Sequence, residues 1–292
     1  MQKFKFAIIG CGRLGTNLAI CLKSEGHTPV GISAKRMESI QESNHWIHAK
    51  TVDICPWNVT QKADVVFITT PDDSIEQTCR QIINHNGLNQ DAIVYHCSGS
   101  LSSEILSAAS NEGFSVGSLH PLQSFPVKRL DGNPFENIYI SVEGSPKAIA
   151  LGKIIVKSLR ARLTEISTKG KKMYHAAAVV ASNYLVTLLE LSRQLNITAG
   201  ISEDIALTVL TPLIQGTLNN IEKQGIPHAL TGPIARGDIQ TVQDHITSIK
   251  QSLPGYLALY KTLGKYTVPI AKAQQNISDE TLLALQDEFY GK

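Results

Sequence analysis

Short apolar, β-branched runs alternate with amphipathic stretches over the first 165 residues of the chain. The runs at residues 3–9, 29–33, 64–70 (DVVFITT), 92–97, 115–119 and 137–143 read as strands, with a further strand at 51–54. Residues 14–24, 75–84, 103–111 and 146–159 between them carry helical periodicity. Strands that are apolar along their whole length are buried on both faces. The pattern therefore predicts a mostly parallel sheet covered by helices on either side. After about residue 168 the strand signal stops and helix follows helix. The expected helices are 170–195, 202–224 with a kink at "TPLI", a third from the good N-cap Asp238 to about 250, then 254–264 and 278–289. The change of period at "STKGKK" divides the chain into an α/β domain, residues 1–165, and an all-α domain, residues 166–292.

The first strand runs straight into "GCGRLG" and a helix, with a second strand about twenty residues on. That context gives the glycine spacing a meaning it lacks alone. Gly10 permits the tight turn, Gly12 lets backbone approach a pyrophosphate, and Gly15 lets helix pack on strand. The exposed amides, with Arg13 and Leu14 opening the helix, then hold phosphate. The domain reads as Rossmann-type. At the end of the second strand an NAD site usually carries a carboxylate. Here the chain offers Ser33, Ala34, Lys35 and Arg36, which suit a 2′-phosphate, so NADP(H) is the expected cofactor.

Composition narrows the partners. The net charge of +2 is spread evenly, which argues against nucleic acid. The five cysteines are odd in number and contain no CxxC, so neither a disulfide framework nor a zinc site is expected. Reduced thiols, and a first strand with no apolar leader before it, point to a cytoplasmic protein. The most apolar helix, near 174–191, is broken by Ser182, Asn183, Thr187 and Glu190 and is too polar to span a bilayer.

Ligands of open parallel sheets bind beyond the carboxyl ends of the strands. Three such ends are polar: "TTPDDSI" with Thr70 and Pro71, "HCSGS" with Ser98, and "SLHPLQSF" with His120 and Gln123. The first should pass the adenosine side of the nucleotide and the other two the nicotinamide end. Past Lys169, helical spacing sets Lys171, His175, Val179 and Ser182 near one face, with Lys172 and Asn183 at its margin. His120 and His175 are both candidates for the proton donor, with Asn183 orienting the reacting oxygen. "LTGPIARGD" carries Arg236, a candidate to grip a carboxylate bidentately. Ser98, Gln123 and Ser182 complete the expected substrate contacts.

These motifs resemble the NADP-dependent Rossmann dehydrogenases with an all-helical second domain, such as pyrroline-5-carboxylate reductase, prephenate dehydrogenase, the 3-hydroxyacid dehydrogenases and ketopantoate reductase. "GCGRLG", "HCSGS", "GSLHPLQSF", "YHAAAVVASNYL" and "LTGPIARGD" look like one two-domain Rossmann-like oxidoreductase family. Some of its members serve as an alternative ketopantoate reductase in pantothenate synthesis. The resemblance implies NADPH-dependent reduction of a small carboxylic acid, ketopantoate first, and a homodimer through the helical domain. "SLHP" also resembles the His-Pro stretch of prephenate dehydrogenases, though the residues that follow differ. The related dehydrogenases place a Lys and an Asn at the domain junction. This chain departs from that spacing, with His175 four residues after Lys171 and Asn183 a further eight along. Imine reduction, prephenate-type oxidation and a non-catalytic NADP-binding regulator are the rival readings.

Overall fold

A computed structural model describes residues 3–290 and falls into two compact units, divided between Ala181 and Ser182. The first unit contains β1 (Lys5–Ile9), α1 (Arg13–Ser24), β2 (Thr28–Ser33), α2 (Met37–Ile47), β3 (Thr51–Asp53), α3 (Pro56–Thr60), β4 (Val65–Ile68), α4 (Asp72–Asn84) and β5 (Ile93–His96). It continues with a 3-10 turn (Ser103–Leu106), α5 (Ser107–Asn111), β6 (Ser115–Pro121), β7 (Tyr139–Gly144), α6 (Pro146–Ser158), β8 (Arg162–Glu165) and α7 (Lys171–Val179).

The eight strands form one sheet in the order β3-β2-β1-β4-β5-β6-β7-β8. All neighbours pair parallel except β6 and β7. The order reverses between β1 and β4, which is where doubly wound sheets hold ligands. The fold is the expected one, a mostly parallel sheet followed by helices. Its core has two layers. On one face Phe6, Ile8, Phe67, Tyr95 and Leu119 pack against α1, α2 and α6. On the other, Ala7, Val66, Val94 and Val116 pack against α3, α4 and α5.

In this unit two helices and one strand escape the sequence pattern for physical reasons. α2 buries only Ile40, Ser43 and Ile47, so its apolar stripe is diluted by polar neighbours. α3 is too short to show a period. β8 lies at the sheet edge, with Arg162 and Glu165 exposed, and lacks the continuous apolar signal of a buried strand.

The second unit contains α8 (Leu185–Thr198), α9 (Thr211–Ala229), α10 (Pro233–Arg236), α11 (Ile239–Ser252), α12 (Pro254–Lys272) and α13 (Asp279–Tyr290). The long helix expected over 170–195 is interrupted by a π-helical stretch, Val180–Tyr184. The kink expected at "TPLI" is absent. Pro212 sits in the first turn of α9, where its missing N–H costs nothing, and the non-helical residue is Gly225 (φ 79). Asp238 caps α11 as expected, accepting from the Thr241 N–H at 3.1 Å. The apolar core of this unit comes from α11, α12 and α13 through Val242, Val268, Leu282, Leu285 and Phe289. No described helix is long and apolar enough to cross a membrane.

Candidate active site

The turn after β1 is shaped by its glycines. Gly10 has φ +116, and a β-carbon there would lie 2.6 Å from the Thr69 carbonyl carbon. A β-carbon on Gly15 would lie 2.2 Å from the Gly10 oxygen, so α1 can only approach the strand as glycine. Gly12 differs: nothing lies within 4 Å of its would-be β-carbon. That open space belongs to a cleft of about 870 Å³ lined by Gly10, Gly12, Ser33, Lys35, Arg36, Thr70 and Pro71. Among the described residues, Arg13, Lys35 and Arg36 have no carboxylate partner, and all three are exposed. Ser33 is buried, and its hydroxyl donates to the Ile54 carbonyl at 3.2 Å. Leu14 packs on the core beneath the turn.

A second set of polar groups gathers further along the same sheet edge. His96, Ser118 and Glu143 are register partners across β5, β6 and β7, so their side chains share one face. All three are almost fully buried. Glu143 accepts from the Ser103 N–H at 2.7 Å, the Ser103 hydroxyl at 2.8 Å and the Thr168 hydroxyl at 3.0 Å. The Lys171 ammonium, 1% exposed, donates to Ser118 Oγ at 2.6 Å. Burial lowers Lys171 to about 8, with Glu143 opposing most strongly. Burial, reinforced by Lys171, pushes His96 and His120 down to about 4.

The two candidate histidines converge. A β-carbon on Gly99 would lie 2.6 Å from His175 Cδ2 and 2.8 Å from His120 Nε2, so both rings lean on this glycine. Tyr174 stands edge-on to His120 at 5.8 Å. Ser98 donates to Asp72 Oδ2 at 2.8 Å and Ser100 to the same oxygen at 2.7 Å, which ties the β5 turn to the start of α4. Among the described residues, five of the six buried polar atoms without a partner collect at this edge, Thr70 Oγ1, His96 Nε2, His120 Nδ1, Ser141 Oγ and Tyr174 Oη, and the sixth, Ser145 Oγ, lies where β7 runs into α6. Native interiors leave few such atoms unpaired, so their clustering marks a place built for a ligand. Beside it lies a cavity of about 560 Å³ lined by Ser100, Ser102, Thr168, Lys169, Lys171 and Lys172.

The structure thus brings together His120, His175, Ser98 and Lys171 in the first unit. Ser182 and Asn183 are exposed in the π-helical stretch and open the second unit. Arg236 ends α10 in that unit, its guanidinium exposed and 4.0 Å from Asp238. Gln123 is exposed just after β6. Sequence reasoning missed Asp72, Ser118 and Glu143 as site residues. The local pattern gave little signal for them, because Ser118 and Glu143 share their strand face with His120 and Ser141 and meet only through the pairing of β6 with β7.

Residues 1–121 match the family model described as Rossmann-like domain, and residues 138–267 match Domain of unknown function (DUF2520). No curated protein matches it significantly in sequence. Among solved structures, a "putative NADP oxidoreductase" from Bacteroides fragilis is 24% identical, with TM-score 0.72 over 89% of this chain and 96% of that one. A protein from Thermotoga maritima is 27% identical, with TM-score 0.73 over 92% and 99%. Pyrroline carboxylate reductase from Plasmodium falciparum, with NADP bound, is 13% identical, with TM-score 0.57 over 99% of each chain.

Three histidines, His27, His96 and the part-buried His120, are held near pH 4 by loss of solvation against an ordinary value of 6.5. Between those limits the unfolded chain binds protons that the folded chain does not. Stability should therefore fall as pH drops from 6.5 towards 4. In His120→Asn the slope of unfolding free energy against pH should lessen by up to about 1.4 kcal/mol per pH unit, one proton's worth. Denaturant titrations across that window check it, and an unchanged slope would show that His120 titrates normally.

Proposed function

We propose that the chain is an NADPH-dependent reductase acting on the C=O group of a small carboxylic acid. Lys171 carries this reading: a buried ammonium on Ser118, lowered to about 8, among unpartnered polar atoms at the strand ends. An acid whose pKa lies near neutral is matched to proton transfer. The neutral imidazole of His120, near 4, cannot serve as the acid at pH 7. Lys171 therefore displaces His120 as the preferred donor; His120 becomes a group that lines and orients the substrate, and His175 remains a proposed donor beside Lys171.

The cleft over Gly12 fits a dinucleotide. Its cradle is open where phosphate would sit, Lys35 and Arg36 on its wall have no carboxylate partner among the described residues, and the Thr70 hydroxyl is unpartnered there. We assign it to NADP, with Gly10, Gly12, Arg13, Leu14 and Gly15 at the pyrophosphate and Ser33, Lys35 and Arg36 at the 2′-phosphate. When bound, the cofactor supplies a hydride. The residues do the rest. Thr70 and Pro71 border the adenosine side and the pyrophosphate, Ser98 bounds the nicotinamide end, and Asp72 fixes Ser98. Lys171 delivers a proton as negative charge develops on the substrate oxygen. Lys169 and Lys172 offer charge for the substrate carboxylate in the adjoining cavity. Arg236, Ser182, Asn183 and Gln123 are further proposals for substrate contact. Ketopantoate is the preferred acid on the strength of the motifs alone. The five unpaired thiols fit a reducing, cytoplasmic setting.

Assembly belongs to the same reading. α8 buries only Leu191 and α9 only Ala229, while Val186, Leu213, Leu218, Ile221 and Ile226 are exposed. Faces that apolar need cover, and a second copy of the chain is the proposed occupant. Light scattering should give a dimer at micromolar concentration, and Leu213→Glu with Ile226→Glu should weaken it. A monomer for the parent chain removes this assignment.

Activity is tested by NADPH oxidation with ketopantoate, pyrroline-5-carboxylate and prephenate-type acids in parallel. Ketopantoate should turn over, with rate falling as pH rises through about 8, because Lys171 must be protonated. Lys171→Met should lose turnover about a hundredfold or more while NADPH affinity stays within twofold. Turnover within threefold of the parent would remove Lys171 as the acid. Turnover of another acid alone would overturn the ketopantoate assignment and leave the reductase reading in place.

A further inference from the structure

The segment between β6 and β7 is long for an antiparallel neighbour pair, and residues 122–138 form neither helix nor strand. It is nevertheless fixed. Asn17, buried in the middle of α1, donates to the Val127 carbonyl at 3.0 Å and to its own helix at the Arg13 carbonyl at 2.8 Å. Its oxygen accepts from the Leu130 N–H at 2.9 Å. One amide thus grips the chain on both sides of Lys128.

Lys128 then reaches into the wall of the nucleotide cleft. Its ammonium donates to Ser39 Oγ at 2.9 Å and meets Glu42 Oε2 at 2.5 Å. Ser39, in the first turn of α2, donates in turn to the Cys11 carbonyl of the glycine turn at 3.3 Å. The ammonium is therefore held between the glycine turn and the start of α2, on the same wall as Lys35 and Arg36.

A surface pair with Glu42 does not account for this. Exposed ion pairs contribute little, about 0–1 kcal/mol, and need no buried clamp. Glu42 is itself half exposed. A phosphomonoester carries close to two negative charges at neutral pH, and Lys35 and Arg36 would meet it only from exposed, flexible stems. A third cation on a fixed backbone completes the set.

We propose that Lys128 is a specificity-determining contact for the 2′-phosphate of the bound nucleotide, released from Glu42 when that phosphate arrives. The proposal rests on the reading of the cleft as an NADP site. It assigns to residues 122–138 a role in cofactor choice that the glycine motif and the end of β2 do not reveal.

Calorimetric titration of the full chain with NADPH, NADH, adenosine 2′,5′-bisphosphate and 5′-AMP tests it. Lys128→Met should weaken NADPH and the bisphosphate about tenfold or more, the range of one charge-assisted hydrogen bond, and leave NADH and AMP within twofold. Lys128→Arg should keep most of the NADPH affinity. Glu42→Gln should tighten NADPH, because the lysine loses its competitor. A thermal melt matching the parent's certifies the fold of each variant. Unchanged NADPH affinity in Lys128→Met, or an equal loss for NADPH and NADH, overturns the assignment to the 2′-phosphate. Failure of the parent chain to bind either dinucleotide overturns the reading of the cleft itself.

Discussion

A carboxylate buried at Glu143 sets the terms for half of the first unit. Burying that charge is costly unless donors surround it, and one-sided removal of its partners would be more costly still. The chain meets the requirement from three directions. Ser103 gives a backbone and a hydroxyl donor, Thr168 gives a hydroxyl, and Lys171 brings positive charge to the same face of the sheet. Satisfying Glu143 therefore fixes the turn after β5 and the approach to α7 together. Lys171 is left over Ser118, away from water, with its proton held loosely enough to give up near neutral pH. The same charge and the same burial keep His96 and His120 neutral.

The nucleotide end obeys a different constraint, that of room. Gly10 and Gly15 are glycines because neighbouring backbone leaves no space for a side chain, whereas Gly12 faces empty cleft. The first two make the turn, and the third leaves a place beside it. Asp72 links the two ends, because its carboxylate at the start of α4 organises Ser98 and Ser100 while α4 also lines the cleft through Asp73 and Ser74.

Much of this was legible in the sequence because buried parallel strands announce themselves. DVVFITT needs no context to read as a strand, and the glycine spacing after the first strand located the cleft. The edge strand β8 and the thinly striped α2 were not legible, since each buries too few residues to impose a period. The site was legible by stretch but not by role. "HCSGS" and "SLHP" end the two neighbouring strands of the proposed site, yet a histidine's usefulness as an acid depends on its surroundings. Only the packing shows His120 desolvated beside a cation. Ser118 and Glu143 gain their meaning from cross-strand register, and Lys128 from a clamp by Asn17, more than a hundred residues away in sequence. No local pattern encodes such contacts.

The central claim is that this sheet edge moves a hydride onto a small acid rather than merely holding a nucleotide. Stereospecifically labelled NADPH, carrying deuterium on one face of C4 at a time, tests it most directly. The full chain would be incubated with each labelled form and ketopantoate, and the acid analysed by mass spectrometry. The account predicts that deuterium from one face only is found on the newly formed carbinol carbon. Tight binding of NADPH with no deuterium reaching ketopantoate, or any other keto or imino acid supplied, would contradict it and leave a nucleotide-binding module.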